Sequence, residues 1–398
     1  MKIFLKNLTV VVIGATILYG VYIFWPNFRG IQPVINPPPD DIVNILEPGR
    51  NNTDFPLKLP DGFSIEIYAK NLSGARVIAF DPENNMWVSR TSAGIVSKLV
   101  RNSDGTMTAQ DIFRNLKQPH GIAFDYQDPT TIYIAETHRI VRTKLNSDAP
   151  LKKIADLPSG NGHFTRTLGF GPDNRLYVSI GSSCNVCHEL DERRAAIYSM
   201  NRDGSDFKQF AKGLRNTVFF TWSYVDGRMW GTDMGRDLLG DNVPPEEINM
   251  IKEGGNYGWP ICYGNNIHDT NFDKNTYIRN PCMEPFETPQ QVEMQAHSAP
   301  LGLGFVPEEG WPEDMWYDLI VAFHGSWNRT VPTGYKLVRI KLDARGNFQG
   351  QEDFISGWLQ GNSALGRPVD VLIQSGGTMY ASDDKAGVIY KINYRGLR

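Results

Sequence analysis

The chain has 398 residues, a net formal charge of −4 and no block of basic residues, which argues against a nucleic-acid partner. Nine Trp, 16 Tyr and 20 Phe beside 38 Gly suit a twisted all-β chain with many turns. The length fits one large domain plus a leader better than a series of domains of ordinary size. The leader opens with Lys2 and Lys6, and the 18 residues from Leu8 to Trp25 then carry no charge, with Tyr19, Tyr22 and Trp25 at the far end. Such a run is long enough to cross a bilayer as a helix, with the lysines inside and the aromatics at the far interface. A cleaved signal peptide is the rival reading, but Trp25-Pro26-Asn27-Phe28 is a poor cleavage site. The expectation is a cytoplasmic stub at 1–6, an uncleaved transmembrane signal anchor at 7–25, and an extracytoplasmic remainder, periplasmic or extracellular. Residues 26–56 hold Pro33, Pro37, Pro38, Pro39, Pro48 and Pro56 and read as an extended linker, with folded sequence at 57–398.

From residue 57 onward one pattern recurs. An apolar run ends at or near a Phe, a short turn of Asp, Asn, Gly or Pro follows, and a second run starts near an aromatic. Arg76 to Phe80 leads to Met86-Trp87-Val88, and His120 to Phe124 leads to Ile132-Tyr133-Ile134. Leu168–Phe170 leads through Gly171-Pro172-Asp173-Asn174 to Leu176–Ile180. Arg215 to Phe220 leads to Met229-Trp230, His297 to Phe305 leads to Leu319-Ile320-Val321, and Arg367 to Ile373 leads to Met379-Tyr380. Paired short strands repeated in this way predict a six-bladed β-propeller. The strand-like run Phe63 to Tyr68 is expected to complete the last blade beside Val388 to Ile392.

A propeller relates its innermost strands by rotation about one axis, so the residues just before them should meet at one mouth of the channel. These are Arg76, His120, His163 with Arg166, Arg215 with Asn216, His297 and Arg367. In four units an Arg, His or Asn lies four residues before the anchoring Phe: Arg76, His120, Arg166 and Asn216. Each alone would be read as a loop cap or a partner of a neighbouring acid. As a set, a ring of Arg and His asks for an anion with several carboxylates or phosphates.

The cysteines are Cys184, Cys187, Cys262 and Cys282. In an exported chain an even count predicts disulfides, and proximity pairs Cys184 with Cys187 and Cys262 with Cys282. Cys184-Asn-Val-Cys187-His188 also matches the c-type haem attachment pattern, but no second axial ligand is evident. The polar loop Gly231 to Asn249 offers carbonyls and carboxylates, including Asp233, Asp237 and Asp241, of the kind that hold a hard cation, although a solvated turn explains the same spacing. No nucleophile elbow, zinc-protease helix or dinucleotide fingerprint is present.

Several long motifs, in order, carry a resemblance. They are His163 with the Gly171 to Cys187 run, Gly213-Leu-Arg215-Asn216, Glu247-Ile-Asn with Gly254-Gly-Asn-Tyr-Gly-Trp-Pro260, His324-Gly-Ser-Trp-Asn-Arg329, and Arg367 with Asp370. Over about residues 57–394 the chain resembles the glucose/sorbosone dehydrogenase family, and more its sorbosone branch, whose propellers use pyrroloquinoline quinone (PQQ). The resemblance implies oxidation of an aldose or sugar aldehyde, with His163 as general base and hydride transfer to the quinone. It places Arg215 and Asn216 beside the quinone and Arg367 on a carboxylate, and the ring reading adds His120 and Arg166. Ca²⁺ would sit on backbone carbonyls of Gly235 and Arg236. Where the soluble glucose enzymes of the family place a Lys against PQQ, this chain offers His324 or Arg329. The expected partners are a sugar and an electron acceptor, either a cytochrome or a membrane quinone. The alternatives are a non-catalytic propeller that binds carbohydrate or protein, and a lactonase-type hydrolase, which the scarcity of acids in the ring disfavours.

Overall fold

Turn chemistry sets the local structure. In the Gly171–Asn174 turn, Asn174 takes φ 64°, a left-handed conformation its short amide tolerates, and the Gly171 N–H donates to Arg175 O at 2.9 Å. The Asp81–Asn85 turn repeats the device, with Asn84 at φ 64° and the Asp81 N–H donating to Asn85 O at 2.9 Å. The carboxylates of these turns also take the polar tips of the second-strand aromatics: Trp87 Nε1 donates to Asp81 at 2.9 Å, and the Tyr177 hydroxyl to Asp173 at 2.9 Å. In these two repeats the ring packs inward while the turn satisfies its polar end; Tyr133 donates instead to Arg202 O at 3.1 Å, and Trp230 Nε1 is buried without a partner.

The computed structural model describes residues 13–22, 47–145, 147 and 149–396. Residues 13–22 are helical. The stub at 1–6, the ends of the 7–25 anchor and residues 26–46 of the linker lie outside the described residues. No helix among the described residues is long and apolar enough to cross a membrane. Residues 47–56, read from sequence as linker, belong to the folded body, which begins at Glu47. Arg50–Asn51 pairs in parallel with Ser64–Ile65, and the Asn51 amide donates to the carbonyls of Phe55 and Leu57. The Phe55 ring then meets Tyr390 edge-on at 5.8 Å.

Within this body the strands form antiparallel meanders of four. The first runs Ala75–Phe80, Met86–Arg90, Ile95–Arg101, Met107–Phe113. The next are Ile122–Phe124, Thr131–Glu136, Arg139–Lys144, Lys152–Asp156, and Leu168–Phe170, Leu176–Ile180, Ala196–Met200, Lys208–Lys212. Then follow Thr217–Trp222, Met229–Asp233, Glu246–Ile251, Val292–Met294, and Pro300–Phe305, Leu319–Phe323, Lys336–Leu342, Phe348–Ile355. In the last meander, Pro368–Gln374, Thr378–Asp383 and Val388–Tyr394 are completed by Phe63–Ala69 from the start of the body, in register from Phe63 opposite Tyr394 to Ala69 opposite Ile389. Each strand pair expected from the repeated pattern is present. The first strands pack in chain order and the last returns to the first, so the all-β assembly closes almost completely around an axis, the architecture of a β-propeller.

Two features make the axis. The first strand slips register near its start in four of the meanders, between Ala75 and Ile78, Thr217 and Phe220, Pro300 and Leu303, and Pro368 and Val371. An amide released from the ladder in this region is taken by a second-strand hydroxyl twelve residues on: Val77 by Ser89, Thr167 by Ser179, Asp370 by Ser382. Neighbouring first strands also approach too closely for side chains at some points. A Cβ on Gly121 would stand 2.4 Å from Arg166 O, and one on Gly302 would stand 2.6 Å from Asp370 Cα. Because both obstacles are backbone, we expect Gly121→Ala to cost about 1–3 kcal/mol, read as a lower urea midpoint with unchanged slope.

Candidate active site

The residues before the first strands and the loops after the second strands converge on one end of the channel. The second strands end in register, so Thr91, Thr137, Gly181, Met234, His324 and Asp384 follow them at equivalent positions. Gly181 must lack a side chain, since its Cβ would lie 2.5 Å from Asn216 Oδ1 and 2.6 Å from His163 Cβ. That absence lets His163 and Asn216 stand side by side.

His163 is half-buried, and its ring is held by Ser182. Its Nδ1 lies 3.1 Å from Ser182 O and 2.9 Å from Ser182 Oγ, whose own proton goes to Cys184 O at 2.7 Å. A carbonyl and a committed hydroxyl can only accept, so the Nδ1 carries the proton and the Nε2 lone pair is unused. Burial, followed by the charge of Arg215, pushes the imidazole pKa down to about 3, so the ring is neutral. Arg215 is itself buried and fully committed. It donates to Asn185 O, Asn185 Oδ1, Met234 O and Asp237 Oδ2 at 2.9–3.1 Å, joining the Cys184–Cys187 loop to the loop after Asp233. Asp237 also accepts from Asn328 at 2.9 Å, which brings in the loop His324 to Arg329.

The other end of that loop reaches Arg367, whose Nε donates to His324 O at 3.0 Å and whose Nη2 donates to Gly325 O. The Arg367 guanidinium lies over the Tyr335 ring at 5.3 Å and keeps its Nη1 free. Arg215 and Arg367 are thus tied through one loop, and His163 joins Arg215 through Ser182, whose N–H donates to Arg215 O at 2.8 Å. Other expected site residues are turned inward. Arg166 is wholly buried and donates to the carbonyls of His163, Thr165 and Pro158, holding the His163 loop from beneath. His120 is equally buried, its Nδ1 3.3 Å from Thr167 Oγ1 and its Nε2 without a partner. Arg329 donates to Ala296 O at 3.3 Å and Asn242 Oδ1 at 3.0 Å, and His297 contacts Gly240 O at 2.7 Å. Arg236 pairs with Asp269 at 2.6 Å.

Ser182 and Asp384 escaped the sequence reading, Asn185 entered it only inside the Cys184 to Cys187 motif, and Asp237 was weighed there as a cation ligand and not as the partner of Arg215. Aligning the second strands would have found Asp384, because Met379-Tyr-Ala-Ser-Asp383-Asp384 matches Met229-Trp-Gly-Thr-Asp233-Met234.

Beneath the Arg215 loop lies an acidic patch. Burial pushes Asp233 and Glu246 up to about 8 and Glu247 to about 7. A cavity of about 20 Å³ beside Gly235 is lined by Arg215, Asp233, Arg236, Glu247 and Asp269, room for one small occupant. The Gly235 N–H donates to Glu246 at 2.7 Å, while the carbonyls of Gly235 and Arg236 accept no hydrogen bond from the described residues. Both expected disulfides form, Cys184–Cys187 and Cys262–Cys282. Their sulfurs are therefore unavailable to a metal beside Glu189 or Glu287.

Comparison with known proteins agrees with this architecture. An uncharacterized protein of Borreliella burgdorferi is 32% identical over 85% of this chain and 91% of its own length. The pyrroloquinoline quinone-dependent pyranose dehydrogenase of Coprinopsis cinerea is 23% identical over 87% of this chain, which spans about half of that enzyme, 56% of its length. The calcium structure of the Trichoderma reesei carbohydrate-active enzyme of family AA12 superposes with a TM-score of 0.73 at 20% identity, covering 86% of this chain and all of that one. Residues 57–395 match the family model described as TrAA12-like, and the chain belongs to that family.

Proposed function

We propose that this chain is a PQQ-dependent dehydrogenase that oxidises an aldose or sugar aldehyde on a six-bladed propeller, one blade for each meander. Its dehydrogenase relatives and the unsatisfied polar groups at the mouth support the assignment. Among the donors, Arg76 Nε and Arg329 Nε are buried without partners, and Arg367 Nη1 is free. A tricarboxylate with an ortho-quinone suits that donor set: Arg367 would take a carboxylate, and Arg215 and Asn216 would flank the quinone. When bound, PQQ supplies the ortho-quinone that accepts hydride from the sugar.

The observation that carries the reading is the fixed tautomer of His163. Its proton is committed to Ser182, and its Nε2 has no partner among the described residues. Nε2 takes the proton of the substrate hydroxyl at the carbon being oxidised, and burial, with the neighbouring Arg215 charge, keeps the resting ring unprotonated. Asp237 and Asp384, the acids near the mouth, are each paired with an arginine, an arrangement unlike a carboxylate-held lactonase metal. The uncharged run from Leu8 to Trp25 supports an anchored, extracytoplasmic enzyme that passes electrons to a cytochrome or membrane quinone.

With PQQ saturating, His163→Asn should lower kcat by about 10²–10⁴-fold in a dye-reduction assay over several aldoses, while PQQ binding persists. Full activity in this variant, or failure of the wild type to bind PQQ, would reject the assignment.

The open carbonyls of Gly235 and Arg236, close to acids that burial drives toward their protonated forms, fit Ca²⁺. Without it, Asp233 and Glu246 keep protons in the folded chain that the unfolded chain has lost, so stability falls as pH rises toward 8. The buried histidines act in the opposite direction only below their free pKa of about 6.5. The apo melting temperature should therefore drop between pH 6.5 and 8. Calcium at about 100 times its dissociation constant should add about 2.7 kcal/mol and flatten the decline, and EGTA should reverse this.

A further inference from the structure

His324 and Asp384 leave adjacent second strands at equivalent positions and meet across the mouth, His324 Nε2 lying 3.0 Å from Asp384 Oδ1. Arg76 Nη1 donates to the other oxygen of Asp384 at 2.6 Å. Burial works to raise the Asp384 pKa, but the hydrogen bond from His324 and the charges of His324, Arg76 and Arg367 hold it at about 2. An ionised carboxylate only accepts, so the resting proton of His324 sits on Nε2. The Nδ1 has no partner and is not among the enclosed polar atoms, so its lone pair is open to the mouth. The free Arg367 Nη1 belongs to the guanidinium bound to the carbonyl of this same histidine.

The charged groups around His324 are few. Asp384 and Arg367 come from the last meander and Arg76 from the first. Burial, opposed by Asp384 and reinforced by Arg367 and Arg76, pushes the imidazole down to about 4. An anion entering beside Arg367 would cancel the repulsion from both guanidiniums and offer Nδ1–H an acceptor. Arg329 is not equivalent, since it is turned onto Ala296 O and Asn242.

We propose that His324 becomes protonated when the cofactor binds, so that its Nδ1–H and Arg367 Nη1 grip one carboxylate and binding is coupled to proton uptake. The inference rests on the reading that PQQ is the ligand. A lysine at this point would hold its charge permanently; the imidazole carries one only while the anion is present. The site then repels cations less when empty, and its affinity strengthens as pH falls from about 8 toward 6.

Calorimetric titration of the apo protein with PQQ at pH 7, in calcium-containing PIPES and Tris, reads the coupling directly from the difference in heat. The wild type should take up about one proton per PQQ. His324→Asn should take up none and bind about tenfold more weakly or worse, while His163→Asn keeps the uptake. Asp384→Asn, which retains an acceptor but removes the charge, asks the same question if His324→Asn does not fold, and its uptake must fall. PQQ binding with no buffer-dependent heat, or uptake that survives in His324→Asn and disappears in His163→Asn, overturns the inference while leaving the cofactor reading intact. No PQQ binding by the wild type overturns the cofactor reading itself.

Discussion

The site depends on how amides released from the inner ladder are satisfied. Where the first strand of a meander slips register, an N–H loses its ladder partner beside a channel with little room for water. In two of those meanders Ser89 and Ser382 supply the missing acceptor, and Ser179 does the same for Thr167 in a meander without a slip. An unsatisfied buried amide costs about 1–3 kcal/mol, so these hydroxyls make the slip tolerable. The slip in turn bends the strand and releases the preceding residue from the sheet. Asn216 and Arg367 stand just before such slips, and Arg76 lies inside one. The same hydroxyls lock neighbours together: Ser382 also donates to Arg76 O, and Thr167, in the adjacent strand of its meander, donates to Val218 O.

The sequence showed the strand pairs, the closing strand and both disulfides because each rests on local chemistry: alternation, turn residues and proximity of cysteines. It did not show which ring members face the ligand. Arg166 and Arg367 look alike in the repeat, yet one is buried under the His163 loop and the other keeps a free nitrogen. The difference comes from carbonyls supplied by distant segments, Pro158 for one and His324 for the other, and no spacing rule reports these. The folded start at Glu47 was hidden for a related reason. Proline-rich composition reads as linker, whereas Asn51 organises that stretch through side-chain bonds that composition does not register.

Two electrostatic regimes sit within one mouth. The upper layer holds guanidiniums and neutral imidazoles, and the layer beneath the Arg215 loop holds acids driven toward their protonated forms by burial. Arg215 stands between them: it lowers the proton affinity of His163 and of the acids Asp233 and Glu246. Its four hydrogen bonds to Asn185, Met234 and Asp237 keep that charge in place. Burial sets the protonation of both layers, and Arg215 adds a charge felt by each.

The closing pair has a consequence for biogenesis. Phe63–Ala69 is made near the beginning and finds its partner, Val388–Tyr394, only at the end. Contacts so distant in the chain carry a large loop-closure penalty and form late. While the nascent polypeptide emerges, that first segment must wait with its edge unpaired, exposed to wrong partners. Loss of Val388–Tyr394 would therefore unpair Phe63–Ala69 as well, leaving an open arc instead of a closed ring.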